Sequence, residues 1–96
     1  MLLRQVLLEL PDRPGSLGQV TTLLGRLGVD IRQMRVRGRD GRTATDEFTV
    51  AVPGAVVERT LASLLDEVEG VKVLSMWAID AVDESSWSAV RAPTAN

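Results

Sequence analysis

The chain has 96 residues, a formal net charge of −2 and 45% apolar side chains, enough for one small domain with a modest core. It contains no cysteine and no histidine, which excludes disulfides, thiolate metal sites and the side chain most often used as a general base near neutral pH. No apolar run reaches membrane-spanning length, and the weak acidity gives no overall attraction to nucleic acid.

Leu2 to Leu10 alternates as a strand, with Val6, Leu8 and Leu10 on one face and Leu3, Leu7 and Glu9 on the other. A Pro11-Asp12-Arg13-Pro14-Gly15 turn follows. Leu17, Val20, Leu24 and Leu27 then form one helical stripe, which predicts a helix near residues 15–27 closed by Gly28. A strand therefore runs into a helix through a short turn. The first amides of such a helix lack internal partners, and the helix dipole adds partial positive charge there, so the junction attracts a carboxylate. Gly15 has no side chain to keep a ligand from the backbone, and Pro14 presets a helix-compatible φ. Asp12 either caps the turn or offers its charge to an ammonium group. Donors on one side and a carboxylate on the other suit a free α-amino acid.

Val29 to Arg37 reads as a second strand. Ile31 is out of phase with Met34 and Val36, which predicts a bulge near Gln33. Asp40-Gly41 marks a tight turn into a third strand, Thr43 to Val52, with Phe48, Val50 and Val52 toward the core. Val57, Leu61, Leu64 and Val68 predict a second helix over 55–68, and Val71 to Ile79 a fourth strand. This order is that of a ferredoxin-like βαββαβ two-layer sandwich, class α+β. An antiparallel four-stranded sheet, ordered four-one-three-two, carries both helices on one face. The expected organisation is a domain over 1–80 and a tail over 81–96, in which Asp83 caps a short turn bearing Trp87 and Val90.

The fourth strand is apolar on both faces, and the helices cover only one. The open face is expected to present Leu3, Leu7, Leu74 and Met76 to the tail or to another subunit. Arg32, Arg35, Arg37, Arg39 and Arg42 cluster in the hairpin. They suit a solvated edge that resists aggregation, or contact with an anionic partner. Nucleic acid is disfavoured, because the aromatic interleaving of a single-strand binder is missing.

The Asp12-Arg13-Pro14-Gly15-Ser16-Leu17 turn, followed by Gly28-Val29-Asp30-Ile31 within a βαββαβ order, resembles the ACT domain family over about residues 4–79. The resemblance implies a regulatory module that binds an amino acid at a subunit interface. Carried onto this chain, the family's contact positions are Asp12, Gly15, Ser16, Leu17, Asp30 and Ile31, with no catalytic or metal residue. Asp30 stands where many ligand-binding relatives have asparagine. An ionised carboxylate only accepts hydrogen bonds, so it suits the ligand's ammonium and not its carboxylate. The resemblance also implies a homodimer or higher oligomer, with edge strands paired side by side. With no catalytic domain alongside, the module is expected to act in trans on a regulated enzyme. Two other readings stay open: a purely structural or protein-interaction module without ligand, and a small enzyme using Asp12 and Asp30 as an acid–base pair. No cofactor is implied. The opening Met1-Leu2-Leu3-Arg4 is too short for a signal peptide, which leads to the expectation of a cytoplasmic protein with no membrane or nucleic-acid partner.

Overall fold

A computed structural model describes residues 1–79; the expected tail over 81–96 lies outside the described residues. The elements are β1 (Leu2–Pro11), α1 (Ser16–Arg26), β2 (Asp30–Arg39), β3 (Thr43–Val52), α2 (Ala55–Asp66) and β4 (Lys72–Ala78). The sheet order is β2-β3-β1-β4, and every neighbouring pair is antiparallel. This is the ferredoxin-like α+β arrangement read from the sequence. No helix among the described residues is long and apolar enough to cross a membrane.

The core lies between the sheet and the helices, built from Val6, Leu8, Leu10, Phe48, Val50 and Val52 below and Val20, Leu24, Leu61 and Leu65 above. In α2 the buried position is Leu65, while Leu64 of the expected stripe is only half-buried. The helix ends follow local chemistry. Gly28 at φ 75° closes α1, with Gly28 N–H donating to Gly25 O and Val29 N–H to Leu24 O, the paired bonds of a left-handed glycine cap. The hairpin turn is held by Asp40, whose Oδ1 accepts from the amides of Arg42 (2.9 Å) and Thr43 (2.7 Å). These two bonds keep the Asp40 carboxyl below its ordinary range, the Thr43 amide first.

Register irregularities decide which side chains face where: two between β2 and β3, after Ile31 and after Val36, and one between β1 and β4. In β2 the register with β3 slips between Ile31 and Gln33, which brings Ile31, Met34 and Val36 into phase with core-facing Val50, Phe48 and Asp46. That is the bulge expected near Gln33. In β4 the register with β1 slips between the partners of Leu7 and Leu8, so Val73 opposes Leu8, Ser75 opposes Leu7 and Met76 opposes Val6. Met76 therefore packs against the core and is not part of the open face, while Trp77, opposite Gln5, turns outward. The expected open-face set of Leu3, Leu7, Leu74 and Met76 is corrected accordingly. An uncounted extra residue inverts the alternation of everything beyond it.

The open face is also more polar at its centre than expected. Gln5 bridges Thr49 and Glu47, accepting from Thr49 Oγ1 at 2.8 Å and donating to Glu47 Oε2. Glu47 Oε1 accepts from Arg35 and Arg37, each at 3.0 Å. Burial pushes the Glu47 carboxyl up, but the hydrogen bonds from Gln5, Arg37 and Arg35 outweigh it and hold the group below its ordinary range.

Candidate ligand site

β1 leaves the middle of the sheet at Pro11 and turns at Asp12, whose N–H donates to Arg42 O at 3.0 Å. The turn is therefore tied to the hairpin as well as to β1. Gly15 adopts φ 91° and serves as the N-cap of α1, a conformation that suits glycine and strains other residues. A β-carbon there would meet nothing within 4 Å, so the space beside the turn is open. No side chain caps α1, and its first turn holds no acidic residue. The Ser16 amide donates to Arg13 O at 3.3 Å. By helix geometry the next two amides, Leu17 and Gly18, have no partner within the helix. These are the free donors of the turn.

Asp12 does not cap the helix. Arg39, at the far end of β2, grips it through two bonds, Nη2 to Oδ1 at 2.8 Å and Nε to Oδ2 at 3.2 Å. This pairing, first through hydrogen bonding and then through charge, raises the Arg39 pKa further. Ser16 is buried, Leu17 is half-buried against the core, and Gly15 is exposed. Asp12, Gly15, Ser16 and Leu17 thus gather at one end of the sheet.

Asp30 and Ile31 lie at the other end. Asp30 opposes Ala51 and Ile31 opposes Val50, whereas the Asp12 turn adjoins Thr43. Eight strand residues at about 3.4 Å each separate the two halves by roughly 27 Å within one protomer. Asp30 is exposed and accepts from Arg32 Nε at 2.7 Å; Ile31 is half-buried against the core. The acid–base pairing of Asp12 with Asp30 weighed from the sequence therefore has no basis inside one chain.

Sequence reading missed Asp46. This residue on β3 is only 4% exposed, and its Oδ1 is buried with no hydrogen-bond partner among the described residues. In register it opposes Leu8 on one side and Val36 on the other, so it faces the helix layer, three residues along β3 from Thr43, where the β1–α1 turn adjoins the sheet. Burial pushes its carboxyl up; Arg39 opposes that shift and Asp12 adds to it. The signal was present in the chain, because Asp46 falls in phase with Phe48, Val50 and Val52. A carboxylate at a core position of a strand is rare enough to mark.

A family model for the ACT domain matches residues 4–70. No curated protein sequence matches the chain. Among solved structures, the ACT domain from GTP pyrophosphokinase of Chlorobium tepidum superposes with a TM-score of 0.61 at 20% identity, covering 81% of this chain and 97% of that one. A candidate glycine cleavage system transcriptional repressor gives a TM-score of 0.67 at 22% identity, covering 86% of this chain and 48% of that one. A protein of unknown role from Galdieria sulphuraria gives 0.67 at 14% identity, again covering 86% of this chain and 48% of that one. The chain spans about half the length of the last two, and at these identities the superpositions speak for the fold. The family match takes in both the turn after β1 and the Asp30-Ile31 start of β2, and on it this chain belongs to the ACT domain family, whose members are commonly regulatory, amino-acid-binding modules.

Proposed function

We propose that this protein is a regulatory module that binds a small or apolar amino acid at a subunit interface and acts in trans on a partner enzyme. The observation that carries the reading is the β1–α1 turn: a helix start without a side-chain cap, with two free amides and an open glycine beside them. The ligand's carboxylate rests on the amides of Leu17 and Gly18, and its side chain rests on Leu17. The roughly 27 Å between the two halves of the expected site supports assembly. A two-fold axis through the middle of β2 would set Asp30 and Ile31 of the partner subunit near this turn. Among the described residues β2 is a sheet edge, and it carries two exposed apolar side chains, Met34 (39%) and Val36 (48%), which favours pairing with a second copy. A ligand held across that interface changes assembly by its difference in affinity between the two states, and this difference is the regulatory signal.

The test is a thermal-shift panel of the common amino acids, read beside light scattering. A true ligand at 100 times its dissociation constant adds about 2.7 kcal/mol of stability. Gly15→Val, which places bulk in the open space, abolishes the shift. If no amino acid moves the midpoint at millimolar concentration, the sensing reading fails. The exposed Leu74 and Trp77 on the opposite edge favour a second reading, a module that only joins proteins.

A further inference from the structure

Three aspartates bear on the binding region, and they differ in availability. Asp12 is taken by the two bonds from Arg39. Asp30 is at the opposite end of its own protomer and accepts from Arg32. Asp46 alone of the three has a buried oxygen with no partner among the described residues. A buried carboxylate without a hydrogen bond is costly, and in native proteins such atoms are usually met by water, an ion or a ligand. Its neighbours in register, Leu8 and Val36, are apolar and cannot meet it. The charged groups near it are Arg39, already engaged, and Asp12, which repels it. Among the described residues no three acidic groups converge to hold a metal ion. A cation that arrives with several hydrogen-bond donors would meet this oxygen.

We propose that Asp46 receives the ammonium group of the ligand, while the first amides of α1 hold its carboxylate. This deepens the amino-acid reading above and rests on it. An ammonium carries three donors, enough to satisfy the orphan oxygen and keep one for a neighbour. Asp46 itself is buried, with Leu8 and Val36 beside it in register, so the pair forms largely out of water, where a charge-assisted bond is strong. The ligand class is then a primary amine bearing a carboxylate. A 2-hydroxy acid of the same shape presents the α1 amides with the same carboxylate but gives Asp46 no cation.

The experiment titrates the full chain at neutral pH with glycine, alanine, serine, valine, leucine and isoleucine, and with the 2-hydroxy acids of the same side chains. The same titrations are run on Asp46→Asn, whose shape is nearly unchanged. An amino acid is expected to bind the natural chain, and its hydroxy counterpart to bind at least about tenfold more weakly. Asp46→Asn is expected to lose a similar factor while melting cooperatively. A carboxyl-carbon NMR titration of the natural chain supplies a readout independent of the variant: saturating amino acid should lower the Asp46 pKa, since a cation favours the ionised form. Equal affinity in Asp46→Asn, equal affinity of the hydroxy acid, or an Asp46 titration unmoved by ligand would overturn the assignment and leave the amino-acid reading standing. If no amino acid binds the natural chain, both fall together.

Discussion

Gly70 abuts the ring of Pro11 so closely that a β-carbon on Gly70 would lie 2.5 Å from the proline Cγ and 3.0 Å from Cδ. The loop between α2 and β4 is thereby pressed against the last residue of β1, immediately before the ligand turn. Gly70 also has φ 80°, so an added side chain meets two penalties at once. Gly41, at φ 88° with open space around it, carries only the conformational one. Gly41→Ala should cost about 1–2 kcal/mol. Gly70→Ala should cost roughly 1–3 kcal/mol more, because a proline ring cannot swing aside as a flexible side chain does. Urea denaturation of the two variants measures the difference; equal midpoints would refute the close approach.

The pH dependence of Asp46 has a definite sign. Its carboxyl is held above the ordinary value in the folded chain, so the folded state binds protons more tightly than the unfolded one. The resulting stability is full below the unfolded pKa and is lost as pH rises through the folded one. Asp46→Asn, which cannot ionise, should be the more stable protein at pH 7 by about 1 kcal/mol in the absence of ligand. That advantage should shrink toward pH 4 and below. Melting both chains across this range checks it, and a variant less stable than the natural chain at pH 7 would mean that Asp46 is already paired.

Glu47 behaves in the opposite sense. Its carboxyl is held below the ordinary range by Gln5, Arg37 and Arg35 against the effect of burial. Its contribution is present above the unfolded pKa and is lost as pH falls through the folded one. The arginines are about half exposed, so Glu47→Gln should destabilise by no more than about 1 kcal/mol at pH 7. The difference should close in acid and narrow in high salt. A loss that persists at pH 3 would point to packing and not charge.

The two edges of the sheet make different demands on association. Val36→Glu places a charge on the exposed helix-side patch of β2 and should weaken a side-by-side dimer by about tenfold or more. Trp77→Ser, on the open face of β4, should leave that dimer intact. Sedimentation equilibrium separates these outcomes; the reverse order of effects would move the interface to β4.

The elements were legible wherever one face is buried, because period alone then fixes the face. β1, β3 and α1 belong to this class. The β2 bulge was legible too, since Ile31, Met34 and Val36 cannot share a face without it. β4 hid its bulge because both of its phases are apolar, leaving the phase of Met76 and Trp77 undecided until pairing with β1 is known. The turn at Asp12 was visible as a motif, but its partner was not. Arg39 lies 27 residues away, and only the parallel course of β1 and β2 brings the two ends together. Asp46 was hidden for another reason: it lies in phase with Phe48, Val50 and Val52, but its burial comes from β1 and β2 flanking it, which period alone does not give.

The position of β1 has a consequence for motion. It is paired along ten positions with β3 and along six with β4, whereas β2 has, among the described residues, a neighbour on one side only. Amide hydrogen exchange should therefore be slowest in β1 and faster in β2, where local opening breaks fewer bonds. The turn that would hold a ligand is rooted in the slow strand, and the residues that would complete the site from a second copy are rooted in the fast one. Binding across them would leave β1 almost unchanged and quieten β2, so the trace of occupancy would be written in the edge strand, away from the turn that makes the first contact.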